Sequence, residues 1–328
     1  MKKNLFLKKL LILLTITISI SDSYSQKSKP VNLILDTDIG PDYDDVGAMA
    51  VMHSLADSGQ VNILATVASN QSKYIASVLN ILNTYFKRPN IPIGVVRGRG
   101  VRMTSWQKWD SLLVAKYPHT IKNNDQAQDA LSLYRKILAK EPDGSVTIVT
   151  VGFLTNMADL LESKPDKYSP LSGKDLVKKK VKKLVCMAGR FPSGREFNVD
   201  RDPVSSKIVF DGWVTPIIFS GFEIGAAIHT GLALTQNDKI GNSPVKDAFS
   251  ISIPLDKQDA GGRMSWDETA VLVAIKGYEA YYNTIEGRFV CSDDGSNKWD
   301  LKSKDHFYLV EKMPVPQVEK ILNDLMMR

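Results

Sequence analysis

Cysteine and histidine are scarce in this sequence of 328 residues, with two of the first and four of the second. Two cysteines are too few to indicate a disulfide framework. Cys186 lies within an apolar strand-like run and is interpreted as a buried thiol of the core. The sequence also has no internal repeat and no low-complexity linker. These absences favour one domain, predicted over residues 26–328, which is long enough to bury a large core.

A strong charge of either sign is also missing. The formal net charge is +6 at pH 7, and residues 1–25 account for half of it through four lysines and one aspartate. The basic run VKKKVKK at residues 177–183 is interpreted as the solvated end of a helix, because one short run is weak evidence for an anionic partner. We therefore expect no nucleic-acid partner.

The longest apolar run lies near the N-terminus and is short for a membrane span. Lysines at positions 2, 3, 8 and 9 flank an apolar core over residues 10–20, and Ser23-Tyr24-Ser25 has the pattern of a cleavage site. This is the form of a secretory signal peptide. We predict a cleavable signal peptide over residues 1–25, a secreted or periplasmic protein, and no stable insertion into a membrane. An uncleaved N-terminal anchor is the alternative.

Apolar strand-like runs alternate with segments of helical periodicity along the rest of the chain. Strands are predicted at 31–35, 61–68, 93–96, 145–151, 184–187 and 214–219. Helices are predicted at 45–56, 73–86, 126–138, 156–162, 203–210, 266–281 and 315–326. This alternation predicts an α/β fold with a mostly parallel central sheet and helices on both faces. Binding sites in such folds form beyond the carboxyl ends of the strands.

Five aspartates crowd residues 36–45, directly after the first predicted strand, in the sequence DTDIGPDYDD. Asp36 and Asp38 resemble the opening of a phosphoryl-transfer site with Asp36 as nucleophile, but the residues that follow do not fit it. A calcium loop of the EF-hand type does not fit, because it would need a bidentate glutamate at its twelfth position and none follows there. Capping of the next helix by Asp44 or Asp45 could account for one or two of the five. A hard divalent cation with oxygen ligands explains the crowding of all of them.

The motif DTDIGPDYDD resembles the N-terminal motif of the inosine–uridine-preferring nucleoside hydrolases, in a longer version with two extra residues before the final aspartate pair. The resemblance implies a nucleoside hydrolase-like fold and a Ca²⁺ cofactor. It implies that Asp38 is a metal ligand and the base for the attacking water. It also implies that Asp45 is a metal ligand and that Asp44 contacts ribose or metal. Because Asp42 lies within the extra residues, the choice between Asp42 and Asp44 for the ribose stays open.

Three further segments resemble family motifs, in the family's order. Asn70 in ASNQS matches an amide near the ribose, although a turn asparagine is an equal explanation. Thr155 in GFLTN matches the threonine whose backbone carbonyl binds calcium, although a helix N-cap also explains it. Glu196 and Asn198 match contacts to the ribose hydroxyls, and an extended segment would point both the same way. Arg190 replaces the family's asparagine six residues before this glutamate and could favour a substrate with an anionic group.

The segment RMSWDETA resembles the family's C-terminal His-Asp motif, with Trp266 in place of the histidine. Asp267 matches the last calcium ligand, and residues 265–268 also form a capping-box pattern at the start of a helix. Because that histidine is missing, the general acid for the leaving base is not evident. Trp266 could instead stack on the base and raise its basicity, so that solvent protonates it.

The resemblance thus implies an enzyme that uses calcium to hydrolyse the N-glycosidic bond of ribonucleosides, giving free base and ribose. It implies a small-molecule nucleoside substrate and a homodimer or homotetramer. The alternative from another class is a non-catalytic periplasmic nucleoside- or sugar-binding protein that keeps the calcium site. A phosphatase with Asp36 as nucleophile is the alternative enzyme.

Overall fold

The computed structural model describes residues 29–328, so the predicted signal peptide over residues 1–25 lies outside the described residues. The strands are β1 Val31–Thr37, β2 Val61–Ala68, β3 Ile93–Val95, β4 Gln128–Asp129, β5 Val146–Thr150, β6 Val181–Met187, β7 Ser193–Arg195, β8 Ile217–Ser220, β9 His229–Thr230, β10 Arg263–Met264, β11 Tyr282–Cys291, β12 Ser296–Asp300 and β13 His306–Glu311. The helices are α1 Asp44–Asp57, α2 Ile75–Tyr85, α3 Trp109–Lys116, α4 Ala130–Lys140, α5 Thr155–Glu162, α6 Gly173–Lys180, α7 Phe197–Arg201, α8 Pro203–Gly212, α9 Phe222–Ala226, α10 Leu232–Thr235, α11 Pro244–Ser252, α12 Trp266–Lys276 and α13 Val315–Met326.

Eleven of the described strands form one sheet in the order β4-β3-β2-β1-β5-β6-β8-β13-β11-β12-β7. From β4 to β13 all neighbouring strands are parallel, and β11, β12 and β7 continue the sheet in antiparallel pairing. Strands β9 and β10 form a separate antiparallel pair. The predicted α/β fold with a mostly parallel central sheet is therefore confirmed.

Helices cover both faces of the sheet because the central strands are apolar on both faces. In β1, Leu33 and Leu35 belong to one core cluster, which includes residues of α1, α2 and α12. Ile34 belongs to a second cluster, which includes residues of α4, α5 and α8. Successive side chains of a strand point to opposite faces, so this alternation places one cluster on each side of the sheet. β1 is consequently a central strand, and its last five residues are all buried.

Two predicted helices differ from the structure by four or five residues at one end. The helix predicted over 126–138 begins only at Ala130, because Asp129 caps it by accepting a hydrogen bond from the Ser132 amide at 2.8 Å. The helix predicted over 266–281 ends at Lys276, where Gly277 adopts a left-handed φ of +79°. Residues 282–311, for which the pattern predicts no element, form the strands β11, β12 and β13.

Candidate active site

The candidate active site lies where the order of the strands reverses direction along the chain. β1 connects to β2 on one side, whereas its other neighbour, β5, connects to β6 on the opposite side, so the connections from these two carboxyl ends diverge. A crevice forms at such a point. Asp38 follows β1 directly, and Gly152 follows β5. A Cβ atom at Gly152 would lie 2.5 Å from the Asp38 amide nitrogen and 2.8 Å from its Oδ1 atom. The glycine therefore allows the two loops to approach each other closely.

A cavity of about 440 Å³ opens at this crevice. Its polar lining consists of Asp38, Asp42, Asp44, Glu196, Asn198, Asp256, Gln258, Arg263 and Asp267. Its apolar lining consists of Val151, Met187, Phe197, Phe222, Met264 and Trp266. The structure thus brings together six of the predicted site residues, which come from three distant segments of the chain.

The first turn of α1 concentrates negative charge beside the cavity. Carboxylate oxygens of Asp42, Asp44 and Asp45 lie within 4.8 Å of one another. Asp44 and Asp45 are buried at the N-terminus of α1, where the helix dipole favours negative charge. Burial raises the pKa of Asp44 to about 7. Burial, together with the neighbouring aspartates, also raises the pKa values of Asp38 and Asp45 well above their usual range.

Asp267 joins this acidic group from the other end of the chain. It lies in the first turn of α12, is buried, and lines the cavity. Burial raises its pKa, and so do the charges of the aspartates at 44, 45, 42 and 38. Five carboxylates from two helix N-termini and one loop therefore surround a common space.

These carboxylates fit a hard divalent cation. Asp45 accepts a hydrogen bond from the Thr37 hydroxyl at Oδ1, but its buried Oδ2 has no partner among the described residues. A buried carboxylate oxygen without a partner is costly unless a cation or a donor meets it. All the available ligands here are oxygen atoms, as Ca²⁺ and Mg²⁺ require. The predicted ligands Asp38, Asp45 and Asp267 lie in this group, together with Asp42 and Asp44.

Thr155, the fourth predicted ligand, begins α5 and does not line the cavity. Its hydroxyl group donates a hydrogen bond to Asp202 Oδ2 at 2.5 Å, which links the start of α5 to the start of α8. The predicted role belongs to its backbone carbonyl, and that role stays a prediction. The N-cap explanation is not borne out, because the residue before α5 that occupies the N-cap is Leu154.

Glu196 and Asn198 line the cavity beside the aspartates, as expected for contacts to a sugar, but they are not in one extended segment. Glu196 is the N-cap of α7 and accepts hydrogen bonds from the backbone amides of Gly189, Asn198 and Val199. The Asn198 amide group donates to the carbonyls of Val151 and Met187. The expectation of an extended segment is wrong here because the glutamate side chain caps a helix. Burial raises the pKa of Glu196 to about 7.

Asn70 and Arg190 do not line the cavity. Asn70 donates to the carbonyls of Asp38 and Met103 and accepts from the amides of Ser72 and Met103, so its hydrogen-bonding capacity is used by the backbone. It therefore fixes the loop that carries Asp38. The direct ribose contact predicted for it finds no free donor or acceptor in this arrangement.

Arg190 packs against a residue of the cavity wall but does not itself line the cavity. Its guanidinium carbon is 3.9 Å from the ring centre of Phe222, and its Nε atom is 3.9 Å from a Glu223 carboxylate oxygen. Phe222, on which the guanidinium group stacks, is a lining residue of the cavity. The contact with an anionic substrate group that was suggested for Arg190 would need the arginine to move from this position.

Trp266 forms an aromatic wall together with Phe222. Its indole nitrogen donates a hydrogen bond to the Phe222 carbonyl at 2.8 Å, and the two ring centres are 5.4 Å apart. A Cβ atom at Gly225 would lie 2.3 Å from Trp266 Cδ1, so the indole packs directly on this glycine. The ring is thus held in a fixed orientation at the edge of the acidic site.

The predicted capping box before α12 does not form. The Ser265 hydroxyl is within hydrogen-bonding distance of the Thr230 hydroxyl at 2.8 Å and makes no capping hydrogen bond. Glu268, the other half of the pattern, is buried, and its Oε1 atom is 3.4 Å from the same Thr230 hydroxyl. Both side chains instead contact Thr230, which lies in β9.

Arg263 is a residue of the site that the motifs did not identify. It lies in β10, is 7% exposed, and donates hydrogen bonds to Asp44 and Asp42. It stands three residues before Trp266, in the segment that carries the C-terminal motif. The crowding of the carboxylates indicated such a residue indirectly, because five of them need more positive charge than one divalent ion supplies.

The phosphatase alternative is contradicted by the position of Asp36. This residue is fully buried and does not line the cavity. Its Oδ2 atom accepts hydrogen bonds from the Tyr134 hydroxyl at 2.8 Å and from the Asn156 amide group at 2.9 Å. A nucleophile must reach its substrate, whereas Asp36 is enclosed by core residues.

Comparisons with known proteins agree with this geometry. Residues 33–311 match the family described as inosine-uridine preferring nucleoside hydrolase. The chain therefore belongs to this family, whose members act on small-molecule nucleosides. The family predicted from the motifs is confirmed.

Individual relatives share between 16% and 30% identical residues with this chain. The pyrimidine-specific ribonucleoside hydrolase RihA of Salmonella dublin is 30% identical over 211 residues, which are 58% of this chain and 60% of the relative. The chain thus spans less than two thirds of the curated relatives it matches. A plant nucleoside hydrolase, the PpNRh1 enzyme, has a similar structure with a TM-score of 0.68 and 20% identity, over 91% of this chain and 99% of that one. A purine-preferring ribonucleoside hydrolase from Gardnerella vaginalis gives a TM-score of 0.69 and 16% identity, over 90% and 99%. At these identities the two structures support the fold.

None of the helices between residues 29 and 328 is long and apolar enough to cross a membrane.

Proposed function

We propose that this protein hydrolyses the N-glycosidic bond of ribonucleosides to free base and ribose, with Ca²⁺ as its cofactor. The observation that carries the proposal is that one cavity is lined by carboxylates of the acidic group, by the polar side chains Glu196 and Asn198, and by Trp266. Family membership supports the same chemistry. Calcium is favoured over magnesium because it accepts many carboxylate ligands in irregular geometry, whereas magnesium keeps several waters.

The acidic end of the cavity is suited to prepare a water molecule for attack. A divalent cation held by Asp38, Asp45 and Asp267 would lower the pKa of a water molecule and neutralise part of the carboxylate charge. Asp38 accepts the proton of the attacking water as general base. The water oxygen bonds to the anomeric carbon of the sugar while the bond from that carbon to the base nitrogen breaks. The fixed loop around Asn70 keeps the Asp38 backbone in place for this step.

The middle of the cavity is suited to hold the sugar. Glu196 and the Asn198 side-chain oxygen accept hydrogen bonds from hydroxyl groups. The Asn198 amide nitrogen is held by the Val151 and Met187 carbonyls, which fixes the orientation of that oxygen. Asp44 offers a third acceptor at the cavity surface. Orientation of the sugar by several anchored groups lowers the barrier because it fixes the anomeric carbon opposite the attacking water.

The leaving base departs toward the aromatic wall. None of the four histidines, His53, His119, His229 and His306, lines the cavity, and all four lie within the described residues. Histidine is therefore not the acid in this arrangement. Trp266 stacks on the base and raises its basicity, and solvent supplies the proton that the base takes as it leaves.

The signal-peptide pattern and the family resemblance carry two further parts of this proposal. The protein acts after export, in a secreted or periplasmic location, and it works as a homodimer or homotetramer. Size-exclusion chromatography with light scattering of residues 26–328 tests the second part.

Removal of the metal is the first test. Release of reducing sugar from inosine, guanosine, adenosine, uridine and cytidine is measured after dialysis against chelator and again after addition of Ca²⁺ or Mg²⁺. We expect release with Ca²⁺, little or none with chelator, and recovery when Ca²⁺ is restored. No sugar release from any nucleoside, combined with calcium-dependent nucleoside binding by calorimetry, would replace the enzyme with the alternative binding protein.

Removal of the aromatic wall is the second test. Stacking of a base on an aromatic ring contributes about 1–3 kcal/mol, so Trp266→Ala is expected to lower kcat/KM by roughly 5- to 150-fold. Trp266→Phe keeps a ring but loses the hydrogen bond to Phe222, and an intermediate loss is expected. Tyr85→Ala at the far end of α2, outside the cavity, serves as control. Equal kcat/KM values for the unaltered protein and Trp266→Ala would rule out the stacking role.

A further inference from the structure

The positive charge of Arg263 is fully engaged by the acidic group. Its Nε and Nη2 atoms donate to Asp44 Oδ1 at 3.1 and 2.8 Å, and Nη2 also donates to Asp42 Oδ2 at 2.5 Å. Its Nη1 atom is 3.7 Å from Asp259 Oδ1. Among the described residues that line the cavity, it is the single basic side chain. One guanidinium group therefore pairs with two carboxylates and offsets half of their combined charge.

The surroundings of Arg263 hold it in this place. Its guanidinium carbon lies 5.2 Å from the ring centre of Tyr43 and 5.1 Å from that of Trp266. The Tyr43 hydroxyl donates to Asp259 Oδ2 at 2.6 Å, which ties the same segments together a second time. A planar guanidinium group suits such a position, because it can stack on rings while donating several hydrogen bonds in its plane.

The negative charge is distributed unequally around the arginine. Asp42 and Asp44 receive its hydrogen bonds, whereas Asp45 Oδ2 is buried without a partner. The carboxylates of all three nevertheless lie within 4.8 Å of one another, a spacing that one divalent ion could bridge. The group thus contains carboxylate oxygens for more than one cation, and Arg263 occupies those of Asp42 and Asp44.

We propose that Arg263 stands in the place of a second divalent cation, and that it limits this site to one ion. The proposal rests on the cation site of the proposed function but not on the hydrolysis itself. With Arg263 present, Asp42 and Asp44 are paired and oriented, and the ion is left to Asp38, Asp45 and Asp267. Without its charge, the three carboxylates at positions 42, 44 and 45 gain an open site for another ion.

Ion counting tests this proposal. Each protein is freed of metal with chelator and titrated with Ca²⁺ by calorimetry, and its metal content is measured after dialysis against Ca²⁺ buffer. Arg263→Met and Arg263→Gln are both expected to bind one more Ca²⁺ per chain than the unaltered protein. Arg263→Lys keeps a positive charge, and its count is expected to equal that of the unaltered protein. The double variant Arg263→Met with Asp42→Asn removes one ligand and is expected to lose the extra ion.

The outcomes are separable. Circular dichroism establishes whether each variant is folded, and for a variant that folds only with Ca²⁺ the metal content after dialysis gives the count. The proposal is overturned when the Met and Gln variants bind the same number of ions as the unaltered protein. Failure of the unaltered protein to release ribose would contradict the proposed function, yet it would leave this difference in ion count intact.

Discussion

Replacement of Asp38 by asparagine is expected to lower kcat for ribose release by about 100- to 10,000-fold, the usual contribution of a general base. Asparagine has the same shape but cannot accept the proton of the attacking water. Asp38 lies where its carboxylate faces the cavity and the aspartates 42, 44 and 45. The measurement is kcat at saturating nucleoside for the unaltered protein and for Asp38→Asn.

Asp38 is also a predicted metal ligand, so its two roles need to be separated. The activity of Asp38→Asn is therefore measured over a series of Ca²⁺ concentrations up to saturation. A loss of kcat that persists at saturating Ca²⁺ supports the role as base, whereas full recovery would reduce Asp38 to a ligand. Asp238→Asn changes an exposed aspartate outside the cavity and is expected to leave kcat unchanged.

The central part of the fold could be predicted because its strands and helices each have a single strong pattern. β2 has the predicted bounds, and β1 is predicted to within two residues at its end. Both lie in the parallel part of the sheet, where both faces are buried and the apolar runs are continuous. β11 could not be predicted in this way, because polar residues interrupt its apolar ones. β13 has an apolar run of only four residues, at 307–310, and just one of them, Leu309, is buried.

The candidate site was predictable where the chain carries several polar residues in a short motif. Asp38, Asp44 and Asp45 lie together for this reason, and Glu196 with Asn198 joins them through a second motif. A motif names residue types but not the direction of each side chain.

Asn70 and Arg263 illustrate this limit. Asn70 has the expected position in sequence, yet its amide is used by the backbone of the loop that carries Asp38. Arg263 lies in the segment of the C-terminal motif without a role in that motif, and its hydrogen bonds reach Asp42 and Asp44, 221 and 219 positions away in the sequence. Contacts of this kind depend on tertiary structure and leave no local pattern in the sequence.

The contact between Gly152 and Asp38 leads to the last prediction. A Cβ atom at position 152 would lie 2.5 Å from the Asp38 backbone nitrogen and 2.6 Å from its Cβ atom. Because backbone cannot move aside as a flexible side-chain end can, Gly152→Ala must displace the loop after β1 or the loop after β5. We expect a loss of about 1–3 kcal/mol in the free energy of unfolding, as for other overpacked sites.

The same displacement moves the general base relative to the sugar. A shift of about 1 Å can cost on the order of 100-fold in rate, so kcat of Gly152→Ala is expected to fall by about that factor. Gly212→Ala is the matched control, because a Cβ atom there would meet only Leu161 Cδ1 at 3.7 Å, an ordinary contact. Urea unfolding and kcat are measured for both variants. If Gly152→Ala keeps both the stability and the kcat of the unaltered protein, the close approach of the two loops does not position Asp38, and the base must be held by the Asn70 contacts alone.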